Sequence, residues 1–283
     1  MKRFLKWTLS AALAAGFFSP APLLAGPILW ISDTNGNIGQ VDIASGSVVA
    51  GSVHNTGLSL TDIGFNSTGT LYGTTFTNLY SLDTGTGAAT SLGSYSGIGG
   101  GGMNSLVGGG GVSLLGSSAL TTQLYSIDPA NPAGASVAGP APLTSAGDLA
   151  FSGATLYGSG IDPASGDNSL LNFTTDSVVS LFHVGSAAGP TLNSVFGLAD
   201  DGTTMYAVNG TEVYSVDLAT AVLTPLFDYS LNENGQALAD ATGSAFTGEG
   251  STQVPEPFSL SLFGTGLAAL AAWRARRRVL RKA

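Results

Sequence analysis

The chain is short of positive charge. Nine of its 283 residues are lysine or arginine, and none of the nine lies between Lys6 and Arg274. All 18 aspartates and glutamates fall inside that interval, from Asp33 to Glu256, so the middle of the chain is acidic with no basic partner. Such a body repels phosphate, which argues against nucleic acid as a partner. It also removes ordinary lysine or arginine ion pairs as a source of stability and leaves apolar burial and backbone hydrogen bonds. Cysteine is absent, which excludes disulfides and thiol chemistry and makes the fold indifferent to the redox state of its compartment. His54 and His183 are the only histidines. They are far apart in sequence and lack zinc spacing, and no Gly-x-Ser-x-Gly nucleophile motif accompanies them.

Hydrophobic residues make up 43% of the chain and glycine contributes 41 residues. That composition favours strands and tight turns over helices and argues against disorder. Within the middle, short pieces recur. "LYSLD" (79–83), "LYSID" (124–128) and "VYSVD" (213–217) are the clearest, with "IGQVD" (38–42) and "LLNFT" (170–174) as weaker copies. A second set precedes each: "ILWIS", "LYGTT", "SLLGS", "LYGSG" and "MYAVN". A third set precedes that: "DIGFNSTG" (62–69), "MNSLVGGG" (103–110), "DLAFSG" (148–153) and "FGLADDG" (196–202). Equivalent points lie about 41 to 49 residues apart, the period of a β-propeller blade. Period-two alternation and Gly, Asn, Asp or Ser turns predict four strands per unit. The body starts on a second-strand piece and ends on an unpaired first-strand piece, "DATGSAF" (240–246). Joining the two closes a ring. The expected fold is therefore all-β, a propeller of about five four-stranded blades, with an open sandwich or solenoid as the alternative.

The two ends read differently. Residues 1–25 have a basic start, an apolar run and small residues up to Ala25, the pattern of a signal peptide removed by signal peptidase. Near the other end, Phe258–Trp273 forms an apolar run that as a helix spans roughly 24 Å, close to a bilayer core of about 30 Å. Arg274, Arg276, Arg277 and Arg278 follow it and should stay cytoplasmic as a stop-transfer cluster. Pro255 and Pro257 keep the segment before the run extended and accessible. The implied organisation is a leader (1–25), a repeat body (26–250), a linker (251–257), a transmembrane helix (258–273) and a basic cytoplasmic tail (274–283).

Pro255, Glu256 and Pro257, then Ser259, Leu260, Gly264 and Gly266, then the arginine cluster, together resemble the PEP-CTERM sorting signal. The resemblance covers about the last 30 residues. It implies recognition by exosortase, a membrane-embedded enzyme, and cleavage near the Pro-Glu-Pro motif. It also implies a precursor anchored in the inner membrane of a Gram-negative bacterium with its body on the periplasmic side. The body would then pass to the cell surface or the extracellular matrix, in a setting of exopolysaccharide and biofilm.

For the body itself the residues suggest no catalytic, cofactor or metal site. Gly97–Gly111 lacks the Lys-Ser/Thr pair of a phosphate loop and reads as a blade turn. Asp33–Asn37, Asp162–Asn168 and the Asp200–Asp201 pair read as hairpin turns, with a structural Ca²⁺ as the alternative. Asp42, Asp83, Asp128 and Asp217 recur at one repeat position and should accept backbone hydrogen bonds. Tyr72, Tyr80, Tyr125, Tyr157, Tyr206 and Tyr214 should pack between blades. The body is thus expected to be a non-catalytic interaction or structural module. One alternative is a lectin-like propeller presenting tyrosines to sugars. Another is a glycan hydrolase or lyase using aspartates such as Asp200 with Asp201, although neighbours on one strand point to opposite faces.

Overall fold

The computed structural model describes residues 26–249 apart from 97, 99–101 and 110–112. The expected signal peptide, linker with its Pro-Glu-Pro motif, transmembrane helix and basic tail all lie outside the described residues.

The chain forms five antiparallel sheets. Blade two, for example, runs outward through Asp62–Phe65, Leu71–Thr74, Asn78–Leu82 and Ala89–Ser94. Blade three is Met103–Gly108, Leu114–Ser118, Gln123–Ile127 and Ser136–Pro140. Blade four is Ser145–Ser152, Thr155–Ile161, Asn168–Asn172 and Ser177–Leu181. Blade five is Val195–Asp200, Met205–Asn209, Glu212–Val216 and Val222–Asp228, with His183–Val184 added parallel to its outer edge. Blade one is built from both ends of the body. Its inner strand, Ala241–Phe246, pairs antiparallel with Ile28–Asp33, and Asn37–Asp42 and Ser47–Val48 complete it. The unpaired "DATGSAF" segment thus closes the ring as its sequence position demands, and the propeller has five four-stranded blades. Closure gives every blade a neighbour on both faces, while the inner strands keep an edge that faces the axis.

Each strand type has a sequence reason. Inner strands are sandwiched between neighbouring blades and are buried on both faces; Asp62–Phe65 is buried throughout. They are therefore written in small and apolar residues rather than in alternation. Outer strands such as Ala89–Ser94 have no buried residue and are partly or fully exposed along their length. The tyrosines divide by strand. Tyr72 and Tyr206, on second strands, pack against the following blade, and Tyr80, Tyr125 and Tyr214, on third strands, pack against the preceding one. Tyr157 joins the cluster between blades four and five. Inter-blade packing is therefore what all six do.

The core is divided into five apolar clusters, one at each blade boundary. Aromatic pairs cross two of these boundaries: Trp30 edge-on to Phe65, ring centroids 5.9 Å apart, and Tyr206 tilted against Phe246 at 5.5 Å. Among the described residues, the cluster between blades three and four has Val107, Leu149 and Leu156 as its buried members, fewer than at the other boundaries. A fully buried residue of this kind contributes roughly 1.5–3 kcal/mol.

Candidate functional site

Inner strands carry a problem that the ring must solve. They are parallel to one another about the axis and too far apart to pair, so their inward N–H groups have no backbone acceptor. Strand register places Asp62, Ser105, Asp148, Gly197 and Gly243 at one equivalent position, one per blade. The next residue of each blade directs its N–H inward, and two carboxyl groups receive all five. Asp62 accepts from Ile63 N at 2.7 Å and from Leu106 N at 2.6 Å. Asp148 accepts from Leu149 N at 2.7 Å, Leu198 N at 2.8 Å and Ser244 N at 2.9 Å, and also from Ser244 Oγ at 3.1 Å. The absence of side chains at the two glycine positions makes the room: a Cβ on Gly243 would overlap Asp62 Oδ1, and one on Gly197 would lie 2.8 Å from Ser244 Oγ.

Both aspartates are fully buried and are hydrogen-bonded to each other. A bond between two carboxyl groups needs a proton. Asp148 receives four protein donors against two for Asp62, so Asp148 is the better stabilised as an anion and releases its proton first, while Asp62 keeps its proton to higher pH. Burial, then the charge of Asp148, then the hydrogen bond it donates to Asp148 raise the Asp62 pKa well above the usual carboxylate range. Burial raises Asp148 too, against the backbone donors that lower it.

A second tier lies farther along the axis. Glu249, buried, accepts from Asp200 N at 3.1 Å and from Phe246 N at 2.9 Å. Burial and then the charge of Asp148 push its pKa well up. After the closing strand the chain therefore turns back across the axis and seals it with a carboxyl group. Among the described residues no group of three or more His, Cys, Asp or Glu has the arrangement to hold a metal ion.

The other candidate residues resolve into turns. Asp33 accepts from Asn35 N, Asn37 N, Asn37 Nδ2 and Ala239 N at 2.7–3.0 Å, which occupies its four lone-pair sites. Asp42, Asp83, Asp128 and Asp217 each accept the N–H two residues on, at 2.8–2.9 Å, so the repeated aspartate is a turn acceptor. Asp162 makes the same turn between the second and third strands of blade four. Asp200 accepts from Gly202 N, and burial raises its pKa. Asp201 accepts from Thr203, Thr204 and Tyr206; burial acts to raise it, but these bonds outweigh burial and leave it lowered. His183 Nδ1 contacts Gly189 O at 3.0 Å, and His54 pairs its strand with Asn37–Ile38 in blade one; the histidines are in different sheets. Of the Gly97–Gly111 stretch, Met103–Gly108 is the inner strand of blade three. Gly108 lies so close to Phe65 O that no Cβ fits.

Asp62, Asp148 and Glu249 were not singled out by the sequence. The one available signal was that "DIGF" and "DLAF" share an aspartate in a piece otherwise written for burial.

Two clefts open between blades. One, of about 430 Å³, lies between Thr70, Tyr72, Ser81 and Leu92 of blade two and Asp128–Ala130 of blade three. The other, of about 570 Å³, lies between Thr204, Tyr206, Ser215 and Phe227 of blade five and Ile43–Gly46 of blade one.

Comparison with known proteins places the two halves of this description. Sequence comparison with curated proteins finds none similar to this chain. Among solved structures, a chain of a nidogen/laminin complex aligns at 11% identity and a TM-score of 0.50, covering 78% of this chain and 98% of that one. A protein of unknown function from Bacteroides caccae aligns at 10% identity and a TM-score of 0.48, with the same coverage. Likeness at this identity concerns the fold alone. The family model that matches is the PEP-CTERM protein-sorting motif, over residues 253–278, spanning Pro255, Glu256, Pro257 and the arginines from Arg274 to Arg278. The chain is thus a five-bladed β-propeller that carries a PEP-CTERM protein-sorting motif at its C-terminal end.

Proposed function

We propose that this protein is an exported surface or matrix component whose propeller is a non-catalytic interaction module and whose tail is cut by exosortase near Pro255-Glu256-Pro257. The observation that carries this reading is the sorting motif at 253–278. That motif marks the chain as an exosortase-targeted, membrane-anchored precursor. The body supports the rest. Its one proton-sharing carboxyl pair, Asp62 with Asp148, is closed off from solvent and spent on backbone N–H groups, so it supports the ring rather than a reaction. A fold without disulfides or ion-pair partners also suits an extracellular setting of variable redox state and ionic strength. In this reading the matrix around the released body is polysaccharide, and signal peptidase and exosortase are its processing partners.

The test is mass spectrometry of the mature protein from its native host. We expect a new N-terminus next to Ala25 and a new C-terminus close to Pro255–Pro257, and we expect Pro255→Ala with Pro257→Ala to accumulate a membrane-bound precursor. Recovery of an intact 283-residue chain dissolved in the cytosol would overturn the proposal.

A further inference from the structure

The two clefts are copies of one another. In each, a second-strand tyrosine lies directly across the sheet from a third-strand serine: Tyr72 pairs in register with Ser81, and Tyr206 with Ser215. A threonine two residues before each tyrosine contacts its phenol, Thr70 in one cleft and Thr204 in the other. An outer-strand apolar residue, Leu92 or Phe227, forms one wall, and the aspartate turn of the next blade forms the other. Those turns are held rigid by Asp128, through Ala130 N, and by Asp42, through Ala44 N. The remaining boundaries lack this pairing. Trp30 lies opposite Gln40, Leu115 opposite Ser126 and Tyr157 opposite Asn172. Both clefts open at the end of the propeller that carries the turns between first and second strands.

The lining selects a chemical class. An aromatic ring edge, an aliphatic wall, hydroxyls from threonine and serine, and turn carbonyls suit a ligand with both C–H faces and hydroxyl groups. The described body holds no lysine or arginine, and its aspartates line or anchor both clefts. An anionic ligand would therefore meet repulsion with no compensating cation. We propose that the Tyr72/Ser81 and Tyr206/Ser215 clefts are two equivalent subsites for neutral saccharide units, so that one propeller cross-links or clasps a neutral glycan chain at two points. This rests on the reading of the body as an extracellular interaction module.

The experiment is calorimetric titration of the full-length chain in detergent with neutral β-glucan and galactan oligosaccharides, and separately with an alginate oligosaccharide. We expect two sites of similar affinity for at least one neutral probe and no heat with alginate. Ser81→Gln and Ser215→Gln, which fill one cleft each, should each reduce the stoichiometry from two to one, and the double variant should bind at least tenfold more weakly. If the glutamine variants unfold, Thr70→Val with Thr204→Val, which removes hydroxyls without adding bulk, should give the same loss at an unchanged melting temperature. No binding of either neutral probe, binding of alginate alone, or full binding by a folded double variant would each overturn the subsite proposal. These outcomes are independent of where the chain's termini are cut, so failure here and failure of the sorting reading are told apart.

Discussion

Aspartate does two opposite jobs in this propeller. At the axis, Asp62 and Asp148 are buried, share a proton and take up the inward N–H groups of all five blades. At the strand turns, Asp83 and Asp217 stand in solvent. Hydrogen bonds from the Thr86 hydroxyl and Gly85 N lower the pKa of Asp83, and those from Ala219 N and then Thr220 lower that of Asp217. The same side chain accepting the same kind of donor is pushed up in one place and down in the other. Solvent access decides: where water cannot reach, the cost of holding charge exceeds the gain from the donors.

The sharpest way to break the comparison is Asp148→Ala. It leaves Leu149 N, Leu198 N and Ser244 N without acceptors, and at about 1–3 kcal/mol for each orphaned group the loss is on the order of 5 kcal/mol. That is comparable to the whole stability of many domains. We expect loss of cooperative unfolding or of soluble protein, read by denaturant titration. Asp62→Asn comes next. An amide matches the shape of the protonated acid, but its NH₂ cannot both donate to Asp148 and accept from a backbone N–H as an acid hydroxyl can. A loss of about 1–3 kcal/mol is expected, and a loss as large as that of Asp148→Ala would mean that Asp62 is the buried anion and does not carry the proton.

A pH series separates the two classes without mutation. At the axis the folded state holds protons more tightly than the unfolded chain. Stability from that source is complete below an ordinary carboxylate value of about 4 and falls as pH rises towards about 8, the value to which Asp148 is pushed. Glu249 acts in the same direction. At the turns the folded pKa is depressed, so stability is present above about pH 4 and is lost as pH falls below it. The melting temperature should therefore peak near pH 4–5 and decline towards pH 8, and Asp62→Asn should flatten that decline. A melting temperature that rises steadily to pH 8 would contradict the protonated axis. Asp83→Ala, removing one solvated turn acceptor, should shift the midpoint far less than either axial change and only above pH 4. The smallest effect has the opposite sign. Asp176 occupies a left-handed turn position, φ 49°, that Gly46 and Gly87 fill in other blades. Asp176→Gly should raise stability by up to about 1 kcal/mol in thermal denaturation.

What could be read in the sequence follows the same division. The turn aspartates repeat as residues, so "LYSLD" and its copies located third strands and their turns directly. The closing strand was legible because a ring requires a partner for "DATGSAF". The axial pair was not legible, because its repeat position holds Asp62, Ser105, Asp148, Gly197 and Gly243. Only two of five copies are acidic, and three of the five backbone donors they serve lie far away in sequence: Leu106 binds Asp62 across 44 positions, and Leu198 and Ser244 bind Asp148 across 50 and 96. Ring geometry, rather than any local pattern, brings them together. The clefts fall between these cases. Tyr72 and Ser81 have the same sequence spacing as Tyr206 and Ser215, but the turn that completes each cleft belongs to the next blade.

Glu249 has a mechanical consequence. It binds the inner strands of blades five and one on the axis, so the described body ends at its hub and not at its rim. Tension applied at Glu249 would run along Ala241–Phe246 and load its bonds to Ile28–Asp33 lengthwise. Those bonds share the force instead of parting one after another.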